Sequence, residues 1–268
     1  MRAPVIVILI FQIFALVMRS NVQVALIDDG LNKDYAEDLS YLLVPPLLAI
    51  LLWPIFRSNV GALRSWFDPR CLTGRVILEA IAIGILARVV WWCQLIARVS
   101  LGLTGNVDLA TSRGPTFWFE CPPLQAFLVG LLVWIFLIPI VEEIVHRGLI
   151  QSSLMDRGVR SAVLLSTILF TLFHPPATMP LAFLLGLVFA IQFRNSNALW
   201  ASTISHATYD GIIQLDWRCL HGIWIPGAAE LPMRDVAAWS LSAALLAIAG
   251  IALLLTRTGA PATPRSTH

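Results

Sequence analysis

Long apolar runs separated by short polar breaks set the pattern of this chain. Eight runs, at about 3–19, 39–56, 76–99, 124–149, 161–174, 180–194, 198–215 and 236–255, read as helices that cross a membrane, because a span takes about 20 mostly apolar residues. The run at 39–56 carries Pro45, Pro46 and Pro54, which predicts a kink near residue 45. Gly102, Gly105, Gly114, Pro115, Pro122 and Pro123 break the longest connection, 100–123, with room for a short interfacial helix at Thr116–Phe119. Tight turns are expected near Asp156–Val159 and Asn195–Asn197. His174 precedes Pro175-Pro176, and a residue before proline avoids the helical region, so a helix should end there.

Composition strengthens this pattern. The chain is 58% hydrophobic and 13% charged, whereas soluble domains carry about 25% charged residues. A net charge of +2 without basic patches does not imply a nucleic-acid partner, and none is expected. The class implied is an all-α polytopic membrane protein with about eight transmembrane helices. No convincing small-residue cleavage site follows Met18, so the first span is expected to stay in place. Eleven of the 18 basic residues fall in segments on the same side as the N-terminus. By the positive-inside rule that side is the cytoplasm, for both termini. Trp66, Phe67, Trp91 and Trp92 have the sequence positions of interfacial anchors. Cys71, Cys93, Cys121 and Cys219 lack metal-ligand spacing and read as mostly inert; Cys121 and Cys219 would pair only if their loops lie on the same oxidising side.

Against this apolar background a few polar residues stand out. Glu142, Glu143 and Arg147 end the fourth run. A charge at the bilayer centre costs roughly 2.5–3.5 kcal/mol even on the lenient insertion scale, so such residues are candidates for function. On a helix, Glu143 and Arg147 share a stripe and can pair, while Glu142 points away and stays free for proton transfer. The same three charges also suit a plain anchor at the membrane interface. Arg88 lies deep in the third run and needs a partner in another helix or a watery cavity. His174 ends the fifth run, and His206 and Asp210 share a face of the seventh. Glu142 and His174 both lie roughly 21–23 Å along their helices from the turn near residues 156–159, at 1.5 Å per residue. His206 and Asp210 lie about 14 and 20 Å from the turn near residue 197. Three spans thus bring polar residues to one depth, around a polar intramembrane cavity. A carboxylate and an imidazole sharing a water can activate it for attack on a carbonyl, and a second histidine can serve the oxyanion.

Glu142-Glu143-x-x-x-Arg147, Phe170-x-x-x-His174 and His206-x-x-x-Asp210 resemble, in order and spacing, the three motifs of the CPBP family of CAAX-processing and bacteriocin-immunity-like (Abi) membrane proteins. The resemblance spans about 125–215. It implies an eight-span fold and intramembrane glutamic endoproteolysis. It also implies that Glu142 and His174 activate water, that His206 and residue 210 form the oxyanion site, and that Glu143 and Arg147 support them. The expected organisation is N-terminal helices and loops at 1–123 and a catalytic core at 124–215. An outer loop and last helix follow at 216–256, then a disordered tail at 257–268. The substrate implied is a membrane-anchored protein, either prenylated or carrying a C-terminal sorting signal, in the lipid bilayer of a bacterial inner membrane. No cofactor is expected; zinc held by Glu142, His174, His206 and Asp210 is the alternative, although no HExxH pattern is present. Position 210 is asparagine in the prenyl-protein branch, and an ionised aspartate accepts but cannot donate hydrogen bonds. Asp210 therefore either is protonated or orients a charged His206. A proton-coupled transporter or channel, and a non-catalytic immunity or scaffold protein, are the competing functions. Repeated halves, the mark of many transporters, are not visible.

Overall fold

A computed structural model describes residues 4–101, 124–176, 178–214 and 233–257. Among these residues all regular structure is helical. The helix α1 (Val5–Asp28) is followed by four short helices: α2 (Lys33–Tyr41), α3 (Val44–Leu51), α4 (Trp53–Ser58) and α5 (Val60–Trp66). Then come α6 (Gly74–Ser100), the long α7 (Leu124–Arg157), α8 (Val159–Leu172), α9 (Met179–Ser196), α10 (Trp200–Gln214) and α11 (Met233–Arg257). Five of the described helices are long and apolar enough to cross a membrane, and α8 is a shorter apolar helix. The protein is an all-α polytopic membrane protein.

The run at 39–56 is not one helix. It breaks at Leu42-Leu43 and again at Leu52, and its prolines lie in the first turns of α3 and α4. Proline is tolerated there because the first-turn N–H groups have no helical partner to lose. Elsewhere the turns fall where expected. Gly158 has φ +95° between α7 and α8, and Asn197 has φ 52° as it ends α9. α8 ends at Leu172, just short of His174. The proposed Thr116–Phe119 helix, Cys121, Cys219 and residues 258–268 lie outside the described residues; Cys71 and Cys93 are free thiols.

Large apolar side chains face outward. Ile6, Leu78, Leu245, Leu246 and Trp239 are exposed, as befits surfaces whose solvent is lipid. Inside, small residues and hydrogen bonds hold the helices, since lipid tails give no hydrophobic drive to helix pairing. At the α6–α10 crossing a Cβ on Gly84 would meet the Ser205 carbonyl oxygen at 2.6 Å. The Ser205 hydroxyl donates to the Ala80 carbonyl (2.9 Å) and accepts from Gln192 Nε2 (2.8 Å), tying α6, α9 and α10. Gln151 ties α7 to α9 through the Ala190 carbonyl (3.0 Å). At one end, Trp66 packs against Gly148 and Phe193 and sits in a cluster with Ile8, Leu154 and Leu199. Trp66 is therefore a core residue and not an interfacial anchor, because the segment around it folds back under α7 and α9.

Candidate active site

α7 carries the Glu142-Glu143 pair, and it is not a regular helix there. Wide π turns run over Leu132–Leu137 and Ile144–Gln151, flanking the short α segment Ile138–Glu143. Pro139 contributes to this, since it has no N–H for the carbonyl four residues back. Such π segments recur at functional sites. The two carboxylates diverge as helical phase requires. Glu143 is fully buried and pairs with Arg147 at 3.5 Å, while the Glu142 side chain keeps 29% of its exposure. The Arg147 guanidinium lies over the Phe170 ring, 4.7 Å from its centroid.

That exposure opens into a cavity of about 310 Å³. Glu142, His174, His206 and Asp210 all line it, from α7, the α8–α9 connection and α10. The depth matching read from the sequence holds. His174 Nδ1 lies 2.9 Å from the Phe170 carbonyl oxygen. A carbonyl only accepts, so Nδ1 carries the proton and Nε2 is left for chemistry. His206 is wedged among carboxylates. Its Nδ1 lies 3.2 Å from Glu143 Oε1, and its Nε2 lies 3.3 Å from Asp210 Oδ2 and 3.9 Å from Glu142 Oε2. The ring also stacks on Phe189, 4.8 Å between centroids. Both nitrogens face acceptors, an arrangement that suits a ring donating from both sides.

Several features were not expected. Glu143 supports His206 as well as Arg147, which helix phase within α7 alone does not reveal. Trp91, read as an interfacial anchor, instead lines the cavity, where Arg88 stacks on it. Glu79, on the same helix as Arg88, pairs with Arg75 at 2.8 Å. Trp134 lines the cavity and donates to Asp38 Oδ1 at 2.8 Å, linking α7 to α2. His146 lies away from this cavity, buried against Phe170 and bonded to Gln12 at 2.9 Å. A smaller cavity of about 70 Å³ on the α1–α3 side shares Ile138 and Glu142 with the large one. Among the described residues, no group of three or more His, Cys, Asp or Glu side chains is arranged to hold a metal ion.

Residues 124–212 match the family described as type II CAAX prenyl endopeptidase Rce1-like. Over that segment, about a third of the chain, the sequence is similar to this family. The match covers α7, α8, α9 and all but the last two residues of α10, with the α8–α9 connection, and so includes Glu142, His174, His206 and Asp210. The resemblance drawn from the three motifs therefore stands. An Rce1-like segment implies a peptidase that works in the bilayer on a membrane-associated protein. The chain matches no curated protein and no solved structure.

Proposed function

We propose that this protein is an intramembrane endopeptidase that cleaves near the C-terminus of a membrane-anchored protein. The observation that carries the reading is the convergence of Glu142, His174, His206 and Asp210, all from the Rce1-like segment, on one cavity. In this scheme a water sits between Glu142 and His174 Nε2. Glu142 takes its proton as the water oxygen attacks the scissile carbonyl carbon. His206, held by Glu143 through Nδ1 and with its charge balanced by Asp210, donates from Nε2 to the oxyanion of the tetrahedral intermediate. The proton then passes from Glu142 to the leaving amine, the C–N bond breaks, and the carboxylate is restored. Glu143 and Arg147 fix the helix face that presents Glu142. The scheme uses no metal ion.

The substrate in this reading is a CAAX-type prenylated protein or one with a C-terminal sorting signal. The membrane in this reading is a bacterial inner membrane, and the arginine excess in the inner segments supports both termini in the cytoplasm. The test is to compare the termini of membrane proteins in cells carrying wild-type enzyme or the Glu142→Ala variant. One or more C-termini should be shortened only with wild type. The same cleavage by purified enzyme should persist after thorough chelation. Identical termini in the two strains would overturn the reading, and loss of cleavage with chelator would restore zinc.

A further inference from the structure

Arg88 is 3% exposed, on α6, and lines the same cavity as Glu142. Its guanidinium stacks on Trp91 at 4.1 Å and lies 5.5 Å from the Tyr209 ring centroid. Tyr209 engages it by a side-chain hydrogen bond, and Asp210 is a further polar neighbour. Asp210 is already engaged by His206 at 3.3 Å. Arg88 Nε and Nη2 have no hydrogen-bond partner. A buried guanidinium with idle donors is costly, and the cost falls if a ligand supplies the acceptor. The planar fork of Arg suits a carboxylate, which can accept two bonds at once. The wall beside it is apolar, made by Ile138, Leu181, Ala182 and Leu185. The ligand should therefore offer a carboxylate flanked by apolar groups.

We infer that Arg88 binds the C-terminal carboxylate of the peptide substrate. This rests on the endopeptidase reading above. It narrows that reading, because Arg88 and Glu142 share one cavity of about 310 Å³. Such a space holds only a few residues between the cleaved bond and the chain end. A whole membrane anchor would place its carboxylate far outside.

The test uses the full chain in nanodiscs and internally quenched S-farnesylated peptides ending in cysteine and three further residues, two of them aliphatic. Each peptide is made with a free C-terminal carboxylate and as the carboxamide. Wild type should prefer the acid over the amide by roughly 10- to 100-fold in kcat/KM, mainly through KM. Arg88→Gln should cleave both at the low amide rate, and Arg88→Lys should recover part of the preference. Thermal unfolding checks that the variants fold, and the wild-type ratio needs no variant. No preference in wild type, or the same preference in Arg88→Gln, overturns the inference and leaves the endopeptidase reading standing. If wild type cleaves none of the peptides, binding decides. Tryptophan fluorescence of the Glu142→Gln variant should show the acid bound more tightly than the amide, and adding Arg88→Gln should remove the difference. Equal binding overturns the inference. So does an Arg88-dependent response to phosphatidylglycerol in place of phosphatidylcholine with no acid preference, which would make a lipid phosphate the ligand.

Discussion

Asp210 is the residue whose role the geometry sharpens most. It sits 3.3 Å from His206 Nε2, and Glu143 holds the other ring nitrogen at 3.2 Å. An ionised carboxylate only accepts, so Asp210 acts through the His206 ring, orienting it and balancing its charge. Replacing Asp210 with asparagine keeps the size but removes the charge. The expected result is a fall in kcat of roughly 100-fold with little change in melting temperature, the scale of losing an oxyanion donor. Steady-state cleavage by Asp210→Asn beside wild type checks this. An asparagine variant of full activity would mean that position 210 itself donates to the oxyanion. At this scale the sequence showed much of the candidate site. The spacing of Glu143 and Arg147 separated a paired carboxylate from a free one, and Pro175 marked where His174 leaves its helix. The contact of His206 with Glu143 was hidden, since it depends on how α7 crosses α10. Arg88 was legible as a charge in need of company, but its stacking on Trp91 was not.

At the level of elements, the site depends on how closely α6 approaches α10. Gly84 permits that approach, because a Cβ there would meet the Ser205 carbonyl oxygen and Thr208 Cβ, both at 2.6 Å. Both contacts are one turn or less from His206. Gly84→Leu should push the helices apart and cost about 1–3 kcal/mol, the usual penalty for overpacking. It should lower both melting temperature and activity, because α6 carries Arg88 and α10 carries His206 and Asp210. Gly61→Leu is the matched control, as nothing lies within 4 Å of a Cβ at that position. Equal melting temperatures for the two variants would show that the crossing is looser than drawn. Hydropathy located α6, α7 and α11 well because their outward faces meet only lipid, but it ended α1 near residue 19, whereas the helix continues through polar residues to Asp28. It joined α2, α3 and α4 into one run at 39–56, since an apolar average cannot tell a continuous helix from short helices restarted at prolines. Nor can hydropathy register the wide turns of α7, which keep the composition of a helix while changing its phase around Glu142.

For the whole molecule, the question is which end faces the cytoplasm. The segments that share a side in the charge count do gather at one end. The Leu199 amide donates to the Trp66 carbonyl at 2.9 Å, Arg75 Nη2 reaches the Arg257 carbonyl at 3.4 Å, and Asn195 Nδ2 reaches the Leu255 carbonyl at 3.2 Å. Leu154, just before the α7–α8 turn, joins the same cluster as Trp66. These contacts fix the relative sidedness of the 57–75 segment, both turns and the end of α11. The absolute direction follows only from charge. Arg57, Arg64, Arg70 and Arg75 crowd one short segment at this end, and arginine in short loops is retained in the cytoplasm. Single cysteines placed at Gly158 and after Arg257, in a background lacking native cysteines, should resist a membrane-impermeant thiol reagent in intact cells and react once the membrane is opened. A cysteine at Gly30, at the far end of the 24-residue α1, should react from outside. Labelling of Gly158 and Arg257 from opposite sides would contradict the packing. Labelling of both from outside would keep the packing and invert the protein, so that the substrate's C-terminus would have to reach the cavity from the other face of the membrane.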